Sequence, residues 1–131
     1  MNINDIKTIY NNEVVVKEMM DGTSGFMFMP YVIPGYSEWL GMHVSFDELG
    51  LPIFNDCKYI FNYYDEIGVD YKDYIKEIGS ILNNFDLELV DEHIIFHCKS
   101  DQPSYISRSI CQFLQALTLL AYIGNFKLIE E

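Results

Sequence analysis

The chain has 131 residues, half of them hydrophobic, and carries 20 Asp and Glu against 8 Lys and Arg, a formal charge of −12. That length fits one domain, residues 1–131, which can bury about two thirds of its unfolded surface without metal or disulfide staples. The charge excludes direct nucleic-acid binding, because phosphate contacts need clustered Lys and Arg.

In chain order, Asn4 and Asp5 are placed to cap a short helix running to about Asn11. Val14, Val15 and Val16 then favour a strand, since β-branched side chains lose rotamer freedom in helices. Asp21 to Gly25 reads as a turn. Phe26 to Ile33 reads as a strand with apolar side chains on both faces, Phe26 and Phe28 opposing Met27 and Met29, and so asks for cover on both sides. After Pro34-Gly35 a second strand spans Glu38 to Phe46, and a third, Leu51 to Asn55, comes after the turn at Asp47 to Gly50.

Asp56 is placed to cap a helix with Ile60, Phe61, Tyr64 and Ile67 on one face, stopping at Gly68. In the next helix Tyr71, Ile75, Ile78, Leu82 and Phe85 recur as a single buried stripe. Leu87 to Val90 and Ile94 to Cys98 form a hairpin across the acidic turn Asp91-Glu92-His93. Pro103 opens a closing helix that Gly124-Asn125 should end near Ile123, leaving a short tail. Strands grouped rather than alternating with helices predict an α+β fold: an antiparallel sheet, made of an N-terminal meander plus the later hairpin, packed against about three α-helices.

The uncharged stretch Ser109 to Phe126 is interrupted by Gln112, Gln115, Thr118 and Asn125. Ile106, Ile110, Phe113, Leu117 and Leu120 recur in it at helical spacing, so it reads as a core helix and not a membrane span. The N-terminal residues carry Asp5, Glu13 and Glu18 in place of the basic-then-apolar pattern of a secretory signal. Cys57, Cys98 and Cys111 are odd in number and lack CxxC spacing, which argues against a disulfide framework and a zinc knuckle and for a reducing cytoplasm.

Little in the sequence points to catalysis, and no cofactor or metal is expected. His93 and His97, four apart on a strand, lie about 13 Å from each other, too far to share an ion. Cys98 faces away from His97. Cys57, at a helix start, has Asp56 beside it to oppose thiolate formation. The chain contains no G-x-x-x-x-G-K loop, no G-x-G-x-x-G turn and no G-x-S-x-G elbow. The acidic pairs Asp47/Glu48, Asp65/Glu66 and Asp91/Glu92 sit at turns or helix ends, where carboxylates are ordinarily solvated. A divalent-metal hydrolase using Asp56 with Asp47 or Glu48 is the weakest of the functional alternatives.

One segment combines residue types suited to recognition. Asp65, Glu66, Asp70 and Asp73 interleave with Tyr63, Tyr64, Tyr71 and Tyr74. Tyrosine offers large contact area at low entropy cost, and carboxylates steer basic partners and accept paired hydrogen bonds from Arg. These eight residues are the expected partner-binding surface, and a basic groove on a nucleic-acid-binding protein is the expected partner. The bland alternative is that inward tyrosines complete the core and the acids only keep the surface wet. A further alternative is a self-associating accessory module, a homodimer closing over the second face of the Phe26–Ile33 strand.

The run Ile53-Phe54-Asn55-Asp56-Cys57-Lys58-Tyr59-Ile60-Phe61-Asn62-Tyr63-Tyr64-Asp65-Glu66-Ile67-Gly68-Val69-Asp70 resembles the signature of the uncharacterised bacterial and phage domain of unknown function 1828 family. Members of that family read Leu-Thr-Asp-Asp-Gly, then a helix ending in Gly-Ile. The likeness continues through Tyr71 to Phe85, Leu87 to Cys98 and Phe113-Leu114-Gln115, so that element order matches over roughly residues 26–123. Asp56 is kept, while Cys57 and Lys58 replace the family's second Asp and Gly. The resemblance implies no established activity. It implies a setting in prophages and mobile elements, where small acidic proteins inhibit host defence nucleases by occupying a nucleic-acid groove, the DNA mimicry of anti-CRISPR proteins.

Overall fold

In the computed structural model, residues 1–10, 15–18, 24–29, 33 and 38–130 are described, with backbone alone at 10, 15–18 and 124–130. The elements are α1 (Ile3–Tyr10), β1 (Val15–Glu18), β2 (Gly25–Met29), β3 (Leu40–Phe46), β4 (Pro52–Asn55), α2 (Tyr59–Ile67), a 3-10 turn (Tyr71–Tyr74), α3 (Ile75–Asn84), β5 (Glu88–Val90), β6 (His93–His97) and α4 (Pro103–Glu130). The fold is α+β, as the grouping of strands predicts. Most of the expected Asp21–Gly25 turn, and Pro34-Gly35, lie outside the described residues.

All strands join one antiparallel sheet in the order β1-β2-β3-β4-β6-β5. The later hairpin therefore adds to the meander through β4 and β6, a pairing between strands about forty residues apart that no local pattern announces. Along β2, β3 and β4 every second residue is buried: Met27 and Met29, Leu40, Met42 and Val44, Pro52 and Phe54. This period of two sets one face against the helices, where the Phe54 and Phe113 rings meet with centroids 6.1 Å apart. The opposite face carries Phe26, Phe28, Ser45, Ile53 and Ile95, all half-buried. Phe28 fits there because its register partner is Gly41, where a Cβ would stand 3.2 Å from the Phe28 ring.

α1 is capped two residues earlier than Asn4, the first cap the sequence suggests. Asn2 Oδ1 accepts from Asp5 N–H, and Asp5 Oδ2 accepts from Asn2 N–H, a reciprocal box that makes Asn2 the cap. α4 is the hub, packing against α1, α2 and α3. Ile106, Ile110, Phe113, Leu117 and Leu120 are all buried, as their spacing predicts, and Ala116, Ala121 and Ile123 join them. By length and composition Pro103–Ile123 passes as a membrane span, but half of its most apolar window is buried inside the fold.

Two expectations need correction. α4 does not end near Ile123; its backbone stays helical to Glu130. A glycine costs only about 1 kcal/mol relative to Ala within a helix, too little to stop one that continues into Lys127 and Leu128. The stripe from Tyr71 to Phe85 is also not continuous. A 3-10 turn with three residues per turn places Tyr71 and Tyr74 over one another and shifts the phase of α3 after it. Ile75 consequently faces solvent at 61% exposure, while Ile78 is buried and Ile81 and Leu82 are half-buried.

Candidate functional site

The connection from β4 to α2 is the most constrained polar junction in the fold. Asp56 is 1% exposed, and its carboxylate accepts three backbone N–H groups: Oδ1 from Lys58 (3.1 Å) and Ile94 (2.9 Å), Oδ2 from Ile60 (3.2 Å). Asp56 N–H in turn donates to the Ile94 carbonyl at 3.1 Å. One side chain thus caps α2 and supplies the rung that ends the β4–β6 ladder. Burial pushes its pKa up from 3.8 to about 6, against the lowering effect of the three N–H donors and of His93 nearby. Beside it, Asn55 Oδ1 accepts from Cys57 N–H (2.7 Å) and lies 3.0 Å from His93 Nδ1.

Cys57 and Lys58 are both left-handed, with φ of 54° and 65°. Left-handed backbone costs an L-residue with a Cβ roughly 1–2 kcal/mol, and Asp56 holds the turn from both sides. Glycine is the residue for which such a φ carries no steric cost. Lys58→Gly should therefore stabilise the protein by about 0.5 kcal/mol, after the added freedom of the unfolded glycine is set against the relieved strain. Urea unfolding would check it; a loss of stability would mean the Lys58 side chain contributes more than its backbone costs.

Of the three carboxylates proposed for a cation, Glu48 is exposed and the other two are engaged by backbone donors. Asp56 is committed to backbone donors, and Asp47 Oδ1 accepts from Leu49 and Leu51 N–H, each at 2.9 Å, to close its own turn. Among the described residues no three His, Cys, Asp or Glu side chains form a metal-binding group. Burial raises the Cys57 thiol above its usual pKa and pushes Cys98 up to about 12. Cys111 is exposed on α4.

The eight residues expected to bind a partner divide into two groups. Tyr63 and Tyr64 belong to the core at 7% and 1% exposure, and the Tyr64 hydroxyl donates to the Leu120 carbonyl on α4. Amphipathic spacing explains this: on α2 they sit on the same side as Ile60 and Phe61, the side that packs on α4. They are withdrawn from the contact surface. Tyr71 and Tyr74 are half-buried, Tyr71 lying edge-on to Phe61 with centroids 5.1 Å apart.

Asp65, Glu66, Asp70 and Asp73 are all exposed. α2 stops at Gly68, φ 76°, where Val69 N–H returns to the Tyr64 carbonyl at 2.8 Å and Val69 is buried. Asp70 then caps the 3-10 turn by accepting Lys72 N–H at 3.0 Å. The reversal opens a groove of about 430 Å³ lined by Asp65, Gly68, Val69, Asp70, Tyr71 and Lys72. From Asp65 to Glu77 five carboxylates accompany two lysines, Lys72 and Lys76, and the C-terminal end of α2 adds partial negative charge at the same place.

A second acidic surface stands out only in three dimensions. Asp86 to Glu92 holds four carboxylates and no base, and it forms β5 and its turn at the sheet edge. Period-two pattern marks the hairpin but not which strand is left outermost. No family model, no curated protein and no solved structure matches the chain.

Proposed function

We propose that this protein is a non-catalytic interaction protein whose α2–α3 junction seats on a basic groove of a nucleic-acid-binding enzyme. The observation that supports this reading is the exposure of Asp65, Glu66, Asp70 and Asp73 on capped, hydrogen-bonded backbone around an open groove with Tyr71 in its wall. Carboxylates held in place lose less freedom on binding than flexible ones, and they accept paired hydrogen bonds from the guanidinium groups that otherwise hold phosphate. Tyr71 supplies an aromatic surface beside them for a cation. With a charge of −12, the molecule attracts a basic groove from a distance and repels nucleic acid itself. A host defence nuclease is the sharpest version of that partner, the setting to which the family resemblance points.

The test is nuclease inhibition in coexpression and cleavage assays with the wild type and an Asp65→Lys, Asp70→Lys, Asp73→Lys variant. Losing three carboxylate contacts and adding three like charges should weaken inhibition at least about 100-fold, since each close charge pair contributes about 1.5 kcal/mol or more. The variant should remain folded, because all three side chains are exposed and losing the Asp70 cap of the 3-10 turn costs only about 1 kcal/mol. Undiminished inhibition by the variant would remove this surface from the mechanism.

A further inference from the structure

β5 is an edge strand whose free side can be identified from the hydrogen bonds of its neighbour. Val90 and His93 flank the two-residue turn Asp91-Glu92, and Leu89 lies opposite Ile94. Both turn residues have positive φ, 49° and 67°, as a tight hairpin turn requires. The N–H and C=O of Ile94 are both directed to Asp56, on the β4 side. Backbone groups of directly opposed antiparallel residues point the same way relative to the ladder, either toward one another or both apart. The N–H and C=O of Leu89 therefore face away from β6, on the open edge.

Around these two groups the side chains are of two kinds. Leu89 and Val90 are 40% and 48% exposed, one on each face of the sheet. Asp86, Glu88, Asp91 and Glu92 are exposed as well, with Lys99 reaching Asp86 at 2.6 Å and His97 reaching Glu88 at 3.5 Å. An edge with free backbone groups and apolar side chains is a template for strand addition, and like charge decides what can add. A second copy would bring its own acidic strand and be repelled.

We propose that the β5 edge is a docking site for an extended, lysine- or arginine-bearing segment of a partner protein, which joins the sheet as a further strand through the backbone of Leu89. The added strand alternates basic and apolar side chains: the apolar ones rest on the face of Leu89 and the basic ones, on the opposite face, meet Glu88 and the turn acids. This site is separate from the α2–α3 surface and does not depend on it. A partner could use both, one for its groove and one for a flanking segment.

A peptide of roughly eight residues alternating Lys and Val is the probe, with a Glu–Val peptide and a Lys–Val peptide N-methylated at alternate residues as controls. Amide exchange of the protein is followed by NMR. Exchange of Leu89 N–H should slow at least about tenfold with the Lys–Val peptide, and neither control should produce the effect. Leu89→Pro, which removes only an outward N–H, and Glu88→Lys, which leaves the backbone intact, should each weaken binding about tenfold. The Asp65→Lys, Asp70→Lys, Asp73→Lys variant should bind the peptide within about twofold of wild type. The proposal is overturned if Leu89 gains no protection, if the N-methylated peptide binds as well as the unmodified one, or if the triple variant alone loses the peptide. That last result would place it on the α2–α3 surface instead.

Discussion

Asp56→Ala is expected to lower stability by about 3 kcal/mol and the melting temperature by about 10 °C. Three backbone donors lose their acceptor, two of them on the buried residues Ile60 and Ile94. A stranded buried donor costs about 1–3 kcal/mol, and the carboxylate's own desolvation cost, removed with it, returns part of that sum. Asp56→Asn should lose less, because its amide oxygen can still accept from Lys58 and Ile94 while its NH₂ opposes Ile60 N–H.

The two variants also differ from wild type in pH dependence. In the folded protein the Asp56 carboxyl binds its proton more tightly than in the unfolded chain, about 6 against 3.8. Its contribution to stability is therefore fully present below pH 3.8 and is lost as pH rises through about 6. At 1.36 kcal/mol per pH unit, that difference amounts to about 3 kcal/mol. Urea midpoints between about pH 4 and pH 7 should rise toward acid in the wild type relative to Asp56→Asn. Superimposable profiles would show that the three N–H donors outweigh burial and that Asp56 ionises as an ordinary carboxylate.

Tyr64→Ala should be the most damaging change among the eight residues singled out by composition, at about 4 kcal/mol. The ring is 1% exposed, it packs edge-on to Phe61 at 5.6 Å between centroids, and its hydroxyl ties α2 to α4 across 56 positions of sequence. Tyr64→Phe removes only the hydroxyl and should cost about 1 kcal/mol, whereas Asp65→Lys, one residue along, should stay within about 0.5 kcal/mol. Equilibrium unfolding of the three variants checks the order. If Tyr64→Ala were nearly neutral in stability yet abolished binding, the side chain would belong to the interface.

Period-two and helical spacing locate the sheet-forming segments and the buried faces of α2 and α4, because these depend on near neighbours in the chain. The same spacing places Tyr63 and Tyr64 beside Ile60 and Phe61, so their inward direction is legible in the sequence; interleaving with acids draws attention to the surface instead. Ile75 departs from its expected burial because a 3-10 turn breaks helical phase without a Gly or Pro to announce it. The second role of Asp56 is hidden for another reason. Its partner Ile94 is 38 residues away, and a carboxylate standing in for a ladder carbonyl leaves no local signature. The open edge of β5 depends on the same non-local pairing.

Affinity capture from host lysate at about 50 mM and about 300 mM salt, with the wild type beside the Asp65→Lys, Asp70→Lys, Asp73→Lys variant, tests the central claim most directly. The account predicts that the wild type retains a nucleic-acid enzyme at low salt, releases it as screening rises and surrenders it to added DNA, and that the variant captures none of it. Capture that is indifferent to salt, to DNA and to the three substitutions would contradict the account.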